Sequence, residues 1–464
     1  MKNRYFSKLT PLAFFLVALS ILSVVDVAAQ SKKDRKRADD LVKEGDKSFN
    51  QKNYSVAMDS YTQSLAIVSK NSYAHYRKGF AHYYLKEPDQ GIMEFDIALA
   101  QGYKPVEVFK ARWQLHFEVK NYDAAIADLK QLSKAEPNNG DYFVGLADAT
   151  FEKGSFQEAD DAYQKAILKF PGNGNLFYKL ALAKSKVGDI DGQASAAEEA
   201  VKKNTQYLAE SYRLIGDARV RQRRIPEAID AYERALKSKP DVYEAYRNLS
   251  ELYRAENRLS DAIEISKAGL RQYPSDGKIF TDISGYYSLA GRNDDAIEAG
   301  RAATRLLPKQ AVGYTNLCRA YNDANKPEMA ISTCNTALRL NPNDGETNFY
   351  LGRAHAILQK PVDADRYYKR AVVGLLEFTK NNPEYSDGFY LLGNAYAEDG
   401  QSANALEAYR KCLELNPRFV KAIFNIGIIQ IGRKDKAAAM DQYSNLLNLD
   451  KSLAGKLKAE IDKL

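Results

Sequence analysis

The sequence predicts an all-α solenoid of about twelve helix-turn-helix repeats with a helix that caps its C-terminal end. Three observations lead to this prediction. A small residue, usually alanine, returns at steps that are nearly always 34 residues. A second small residue lies twelve positions before it, and proline lies twelve positions after it in many units. A single helix pair cannot bury both of its apolar faces, so such units must stack into an array.

The two small sites mark the place where the helices of one unit approach each other, because close approach requires small facing side chains. The first site is occupied by Gly45, Gly79, Ala147, Ala181, Gly216, Ser250, Ser284, Cys318, Gly352, Gly393 and Gly427. The second site is occupied by Ala57, Gly91, Ala125, Ala159, Gln193, Ala228, Ala262, Ala296, Ala330, Ala364, Ala405 and Ala439. Proline cannot continue a helix and closes many of the units.

Each half of a unit has helical periodicity. The run Tyr314, Leu317, Cys318 and Tyr321 places apolar side chains at i, i+3, i+4 and i+7 of the first helix. The second helix repeats this spacing after Ala330. One apolar face per helix predicts an amphipathic helix pair.

These features identify a resemblance to the tetratricopeptide repeat family, whose 34-residue unit has a small residue at position 8, alanine at 20 and proline at 32. The segments 209–242 and 386–419 follow that pattern closely. The resemblance implies a right-handed superhelix that binds other proteins and has no catalytic machinery. In this frame the repeats begin near residues 38, 72, 106, 140, 174, 209, 243, 277, 311, 345, 386 and 420.

The N-terminal segment differs from the rest. Basic residues precede an apolar stretch, 12–25, and small residues end at Ala29. This order predicts a secretory signal peptide, residues 1–29, and the apolar stretch is too short for a membrane-spanning helix. We expect cleavage after Ala29, a short linker over 30–37 and the repeat array over 38–450. The amphipathic segment 451–464 is expected to cap the array.

Three departures from the repeat pattern predict local changes in the structure. The fifth unit, 174–208, has Gln193 in place of alanine, which predicts a weak joint. Trp113 stands at a small site, so the two helices of the third unit should splay or shift, and we expect a bend around the third to fifth units. Seven additional residues near 372–382 amount to about two helical turns and predict a lengthened second helix.

Composition and charge limit the possible functions. Hydrophobic residues make up 45% of the chain and charged residues 27%, as in folded globular proteins. The net charge of +7 is modest, and export makes nucleic acid an improbable partner class. Phosphate loops, nucleophile elbows and zinc-protease patterns are absent from the sequence, so we expect no enzyme, no cofactor and no metal site. His82, His116 and His355 share repeat position 11 and are expected at the edge of the core.

The three cysteines are too few for a disulfide framework. Cys318, Cys334 and Cys412 all fall at helix contact positions, and we interpret them as small buried hydrophobes. The alternative for the first two, which belong to one helical hairpin, is a disulfide.

The resemblance implies a concave groove lined by positions 2, 5, 6, 9, 12 and 13 of the first helices. Position 6 carries Asn248, Asn316 and Asn425, which resembles an amide ladder that grips a peptide backbone, although Tyr350 and Leu391 interrupt it. An amide offers both donors and an acceptor to a peptide. The alternative is that these are ordinary exposed polar residues.

The carboxylate clamp of co-chaperone relatives is only partly reproduced. Arg213, Asn248 and Lys278 occupy comparable positions, but Asp217 and Asp282 stand where an amide and a cation are needed. These acids would repel a terminal carboxylate, so we do not expect chaperone-tail binding at this place.

A stretch of aromatic residues follows in the tenth to twelfth units. Phe349, Tyr350, Tyr390 and Phe424 are expected to anchor apolar side chains of a partner. The alternative is that they cover the capping helix or a neighbouring repeat. Three basic residues at groove positions complete the candidate site: Arg247, Arg319 and Arg353.

The sequence thus predicts an exported scaffold or adaptor of the bacterial cell envelope, periplasmic or extracellular, that binds segments of other proteins. Contact with the membrane is expected only transiently, through the signal peptide. The alternative function is a polysaccharide-export or peptidoglycan-associated assembly factor, with envelope glycan as a possible ligand.

Overall fold

A computed structural model describes residues 32–464, and the predicted signal peptide lies outside the described residues. The described chain consists of 25 α-helices without a strand, which confirms the all-α repeat fold. It divides into two compact units, and the division follows Thr205. Within residues 32–464, no helix combines the length and apolarity needed to cross a bilayer.

The first unit contains five helix pairs. In chain order these helices are α1 Lys32–Asn50, α2 Tyr54–Ile67, α3 Ser72–Tyr84, α4 Pro88–Ala100, α5 Pro105–Glu118, α6 Tyr122–Ala135, α7 Gly140–Glu152, α8 Phe156–Lys169, α9 Gly174–Val187 and α10 Ile190–Lys202.

The second unit contains seven helix pairs and one further helix. The pairs are α11 Leu208–Arg221, α12 Ile225–Ser238, α13 Tyr243–Ala255, α14 Leu259–Gln272, α15 Gly277–Leu289, α16 Asn293–Leu306, α17 Ala311–Asp323, α18 Pro327–Leu340, α19 Gly345–Ile357, α20 Pro361–Asn381, α21 Ser386–Glu398, α22 Ser402–Leu415, α23 Val420–Gly432 and α24 Lys436–Leu447. The last helix is α25 Lys451–Ile461.

The helix ends follow from local chemistry. Several first helices begin after an Asn or Asp whose side chain accepts a backbone N–H of the first turn, as Asn71 does from Ala74. Other helices begin with proline at the first position, where its missing N–H costs nothing, as at Pro88 and Pro361.

The turn inside every one of the twelve repeats contains a residue with positive φ at the same position, the fifteenth. Glycine supplies this conformation in four repeats, and Lys, Arg, Asn or Gln supplies it in the other eight. The fifteenth residues are Lys52, Lys86, Lys120, Gly154, Gly188, Arg223, Asn257, Gly291, Asn325, Gln359, Gly400 and Lys434. The turn geometry therefore dictates the left-handed conformation even where a side chain makes it costly.

The helices of a repeat meet where residue 8 faces residue 24, and the two side chains have complementary sizes. A Cβ atom built on Gly45 would lie 2.5 Å from the ring of Tyr61, and one on Gly393 would lie 2.4 Å from the ring of Tyr409. In these repeats the aromatic ring at position 24 lies directly on the glycine backbone and leaves no room for a Cβ atom at position 8.

The ninth repeat replaces this contact with a covalent bond. Cys318 and Cys334, at positions 8 and 24, form a disulfide with a Cα–Cα distance of 5.4 Å. The interpretation of these two residues as free buried thiols was therefore wrong, and the alternative holds, because facing positions at the closest approach of two helices bring the sulfur atoms together. Cys412 is a free, buried cysteine.

The third repeat reverses the usual sizes. Trp113 occupies position 8, Leu129 occupies position 24, and the indole extends to Gly145 of the next first helix. A Cβ on Gly145 would lie 3.4 Å from that indole. The smaller residues at 129 and 145 thus provide the room for Trp113.

Two features follow from the C-terminal part of the sequence. The seven-residue insertion extends α20 to 21 residues as one uninterrupted helix. The last helix, α25, buries Ala454, Leu457 and Ile461 against α23 and α24. Leu457 packs on Gly427, where other repeats place an aromatic ring.

The division between the units falls at the end of the fifth repeat. In that repeat Gln193 is fully buried at the usual alanine position, and α9 and α10 pack along their length. The weak joint and the bend expected around this segment remain predictions.

Candidate binding cavity of the second unit

The first helices of the second unit also contact one another, for example α15 with α17 and α17 with α19. Their inward faces, together with the end of α20, enclose a cavity of about 1040 Å³. Cavities near this volume hold compact ligands or a short length of chain. The cavity lies entirely within the second unit.

An ion pair between distant repeats lies on the wall of this cavity. The guanidinium of Arg254 on α13 contacts both carboxylate oxygens of Asp387 on α21, at 2.9 and 3.2 Å. Glu251 also accepts from Arg254. The exposed pair Arg223 and Glu384 spans nearby segments at 3.0 Å. Repeat seven thus touches repeat eleven, although 133 residues separate the paired side chains.

Two cations on the cavity wall lack hydrogen-bonding partners among the described residues. Arg319 lies 3.7 Å from Asp323 and 5.8 Å from the ring of Tyr350, with no hydrogen bond to its guanidinium. Lys421 has no carboxylate oxygen within 4.0 Å in this part of the chain. Burial, together with the charge of Arg319, lowers the pKa of Lys421 to about 8.

The acidic residues of the wall differ in their environments. Asp323 accepts from Arg353 at 2.7 Å, and Asp344 caps α19 through the backbone of Thr347. Burial, together with the charge of Asp344, raises the pKa of Glu346 to about 7. Burial also raises the pKa of Glu398. Neutral and charged forms of Glu346 therefore coexist near neutral pH.

The predicted amide ladder holds the repeats together. Asn248 donates to Asp217 at 3.3 Å and to the Tyr232 hydroxyl at 3.2 Å. Asn425 donates in the same way to Asn394 at 2.9 Å and Tyr409 at 3.2 Å, and Asn316 donates to the backbone of Thr281 at 2.9 Å. The amide donors are used between successive repeats, so the ladder does not present a free row of donors to a peptide.

The predicted basic residues near the start of the second unit either form ion pairs with acidic residues of the chain or lie outside the cavity wall. Arg213 pairs with Asp217 at 2.5 Å, and Arg247 pairs with Asp282 at 2.7 Å. Lys278 is exposed, and it lies outside the cavity wall. Asp217 and Asp282, the two acids that make a carboxylate clamp improbable in the sequence, are thus paired with arginines of the chain itself.

The aromatic stretch lies mostly in the core rather than on an open groove. Phe349 is 7% and Tyr350 is 4% exposed, and both belong to the main core cluster of the unit. Phe424 packs with the cluster that includes the capping helix. Tyr390 is half-buried, with its ring 4.8 Å from that of Phe419. Anchoring by these rings is thus limited to the edges that border the cavity.

Seven of the twelve candidate residues border the cavity, while Arg213, Arg247, Asn248, Lys278 and Phe424 do not. The seven are Asn316, Arg319, Phe349, Tyr350, Arg353, Tyr390 and Asn425.

Sequence reasoning missed most charged residues of the wall, among them Arg254, Glu346, Asp387 and Lys421. The last three stand at position 2 of consecutive repeats, which the repeat frame already assigned to the groove. Position 2 of the repeat was therefore the sequence feature that could have identified these three residues.

A row of first helices that lines a cavity defines a helical-repeat protein. Tetratricopeptide repeat family models match residues 111–174, 213–277 and 386–419. These parts of the chain are tetratricopeptide repeats.

Similar proteins include a peptide-modifying enzyme and a repeat protein. The UDP-N-acetylglucosamine-peptide N-acetylglucosaminyltransferase of Giardia intestinalis is 35% identical over 80 residues, 17% of this chain and 5% of the relative. The small glutamine-rich tetratricopeptide repeat-containing protein 2 of Mycosarcoma maydis is 29% identical over 170 residues, 37% of this chain and 38% of the relative. The chain thus spans well under half of the length of either relative.

Solved structures with a similar fold include yeast Tom70, with a TM-score of 0.40, 15% identity and coverage of 91% of this chain and 94% of that one. A tetratricopeptide repeat protein from Parabacteroides merdae has a TM-score of 0.39 and 13% identity, and the match covers 55% of this chain and 98% of the other.

The repeats support a protein-interaction scaffold, because this family generally binds other proteins or peptides and is generally not catalytic. The similarity to the Giardia enzyme covers only 5% of that enzyme. Among residues 32–464, no group of three or more His, Cys, Asp or Glu side chains could hold a metal ion.

Proposed function

We propose that this protein is an exported adaptor of the bacterial cell envelope that holds a segment of a partner protein in the cavity of its second unit. The observation that carries the proposal is the cavity of about 1040 Å³ formed by the inward faces of the first helices. The signal-peptide pattern of residues 1–29 and the Cys318–Cys334 disulfide support an oxidising compartment outside the cytoplasm.

The wall of the cavity suits a short extended segment. Apolar side chains at Val312 and Ile428 are 51% and 38% exposed and face the cavity. Charged and amide groups surround them, so both the side chains and the backbone of a bound segment would find partners. The limited volume favours a short stretch of chain over a folded domain.

Site-specific photo-cross-linking tests this function. A benzoylphenylalanine at position 312 or 428 is expected to cross-link an envelope protein, and mass spectrometry of the adduct would give the bound segment. The matched control places the same group at Val362, which is 83% exposed and outside the cavity. Equal cross-linking from 312, 428 and 362 would contradict cavity binding.

Affinity capture from an envelope extract gives an independent measurement. The double variant Val312→Gln with Ile428→Gln should lose the partner, because it removes apolar contact without adding charge. Val362→Gln with Val373→Gln should retain it, since both valines are exposed and lie away from the cavity. Loss in both double variants would instead indicate a general surface effect.

A second candidate function is glycan binding, as in a polysaccharide-export or peptidoglycan-associated factor. The observation that favours it is the pair Phe378 and Tyr385 at the cavity edge, which are 41% and 45% exposed beside Asn381 and Asn382. Exposed rings with amides nearby suit sugar stacking. Saturable binding of soluble peptidoglycan fragments, lost in Tyr385→Ala, would favour this function over a peptide partner.

A further inference from the structure

We propose that the cavity contains a carboxylate-binding site between Arg319 and Lys421, and that the segment held there presents an acidic group. This inference rests on the proposed function of the cavity and specifies the chemistry of its ligand. The shared chemistry is a carboxylate, which a partner could supply from its C-terminus or from an Asp or Glu side chain.

Arg319 has a guanidinium whose hydrogen-bonding capacity is unused within residues 32–464. The side chain is only 20% exposed, and its contact with Asp323 is a long one, 3.7 Å from Nε. A guanidinium has five N–H donors in a planar fork. The side chain of Arg319 lines the cavity. A carboxylate in the cavity would satisfy two of its donors at once.

Lys421 supplies a second positive charge on the same wall. It stands at position 2 of α23, and no carboxylate oxygen among the described residues lies within 4.0 Å of its ammonium. Arg319 and Lys421 line the same cavity, and the charge of Arg319 contributes to the lowered pKa of Lys421. Two cations on one cavity wall repel, and an anion bound between them would reduce the repulsion.

The other cations of the cavity wall provide the contrast. Arg254 is satisfied by Glu251 and Asp387, and Arg353 contacts Asp323 at 2.7 Å. Each already has a carboxylate partner from the protein. Among the cations of the wall, Arg319 and Lys421 are therefore the two that have no hydrogen bond to a carboxylate of residues 32–464.

The charges that face this pair also predict how binding depends on pH. Glu346 and Asp387 lie near Arg319 or Lys421 and disfavour an anion, as does Asp323 beside Arg319. The pKa of Glu346 is raised to about 7 and that of Lys421 is lowered to about 8. As the pH falls from about 9 to about 6, Lys421 gains its charge and Glu346 loses its charge. Carboxylate binding should therefore strengthen, by about fivefold or more.

The test uses small carboxylates and the side-chain guanidinium ¹⁵N signal of Arg319, assigned by its loss in Arg319→Gln. N-acetylglycine represents a C-terminal carboxylate, and N-acetylglutamate α-amide represents an acidic side chain. N-acetylglutamine α-amide is the neutral control, and N-acetyllysine amide tests for a cationic ligand. At millimolar concentrations we expect a saturable shift with at least one carboxylate and none with the neutral probe.

Variants of the full mature chain confirm the location. Arg319→Gln and Lys421→Gln should each weaken carboxylate binding by about tenfold, and Arg319→Lys should retain part of it, as measured by calorimetry. Arg410→Gln and Lys309→Gln, exposed cations outside the cavity, should bind as the parent does.

Three results would overturn the inference: no shift with either carboxylate, a shift only with the lysine probe, or equal affinity in the Arg319→Gln variant and the parent. If cavity-dependent cross-linking persisted alongside any of these, the adaptor function would stand while the carboxylate site would not. A carboxylate shift without cavity-dependent cross-linking would reject the adaptor function instead.

Discussion

Cys318 and Cys334 form a disulfide at the two positions that Gly45 and Tyr61 occupy in the first repeat. Both pairs perform the same task, because each fills the closest approach of the two helices of a repeat. The glycine and tyrosine fill it by packing, and the cysteines fill it with a covalent bond. The ninth repeat therefore has no aromatic ring at this contact, and its hairpin depends on the disulfide.

Removal of this disulfide should lower the free energy of unfolding of the second unit. Cys318→Ala with Cys334→Ala opens a loop of 16 residues, for which the expected loss is about 3 kcal/mol. Cys318→Gly with Cys334→Tyr should recover part of the loss by restoring the contact of the other repeats. Urea unfolding of the oxidised proteins would measure both effects. An unchanged midpoint in the alanine variant would contradict the structural role of the disulfide.

The positive φ at position 15 predicts opposite effects of two exchanges. Gln359 has φ 55°, and Gln359→Gly should stabilise the protein by about 1 kcal/mol because glycine adopts this conformation without strain. Gly400 has φ 76°, and Gly400→Ala should destabilise it by a similar amount. Thermal unfolding of the two variants would provide the comparison. Shifts of the unfolding temperature in the same direction in both variants would refute the role of the positive φ angle.

The buried pair Arg254–Asp387 should stabilise the contact between the seventh and eleventh repeats. Arg254→Ala leaves Asp387 without its partner, at an expected cost of about 3 kcal/mol. Arg223→Ala is the matched control, since its pair with Glu384 is 78% exposed on both sides and should contribute less than about 1 kcal/mol. Hydrogen exchange of α13 and α21 should accelerate only in the first variant. Equal protection in both would show that the buried pair does not hold this contact.

The first unit contains a buried carboxylate that contacts a histidine and a lysine. Glu94 is 4% exposed and contacts His75 at 2.6 Å and Lys78 at 2.8 Å. Burial alone would raise its pKa, but hydrogen bonds from His75 and Lys78 lower it below the ordinary value. The stabilisation is therefore present above the unfolded-state pKa, about 4.3, and is lost as the pH falls through the lower folded-state pKa.

Glu94→Gln should destabilise the first unit by about 3 kcal/mol at neutral pH and flatten the acid limb of its stability profile. Glu107→Gln, which removes an exposed partner of Lys110, should leave the profile unchanged. Urea midpoints between neutral and strongly acidic pH would separate the two. The same acid limb in the parent and Glu94→Gln would exclude a contribution from this carboxylate.

The repeat frame was accessible from the sequence because it depends on local spacing. Proline, a small residue and an aromatic residue at fixed intervals placed the starts of first helices at residues such as Ser72, Gly277 and Ser386, where the helices begin. The left-handed residue at position 15 was less visible, because polar side chains supply it in eight repeats.

The cavity could be predicted only in part, because its closure depends on contacts between distant residues. Arg254 and Asp387 lie four repeats apart, and the repeat period alone does not specify how tightly the array curves. The inward direction of Asn248 was predictable, but its bond to Asp217 required knowledge of the spacing between neighbouring repeats. The local sequence pattern therefore predicted which helix faces pack together. The curvature of the repeat array determines which polar side chains are left without a hydrogen bond to another repeat.

The contact between Arg254 and Asp387 lies on the cavity wall, so it would restrict the entry of a partner from that side. A chain terminus can thread past a closed side, whereas an internal loop of a folded protein requires the pair to separate first. Association of a loop would then be limited by an opening step, and added salt, which weakens the pair, would accelerate it. A pair at this place would thus slow the binding of loops and favour partners with a free, unstructured end.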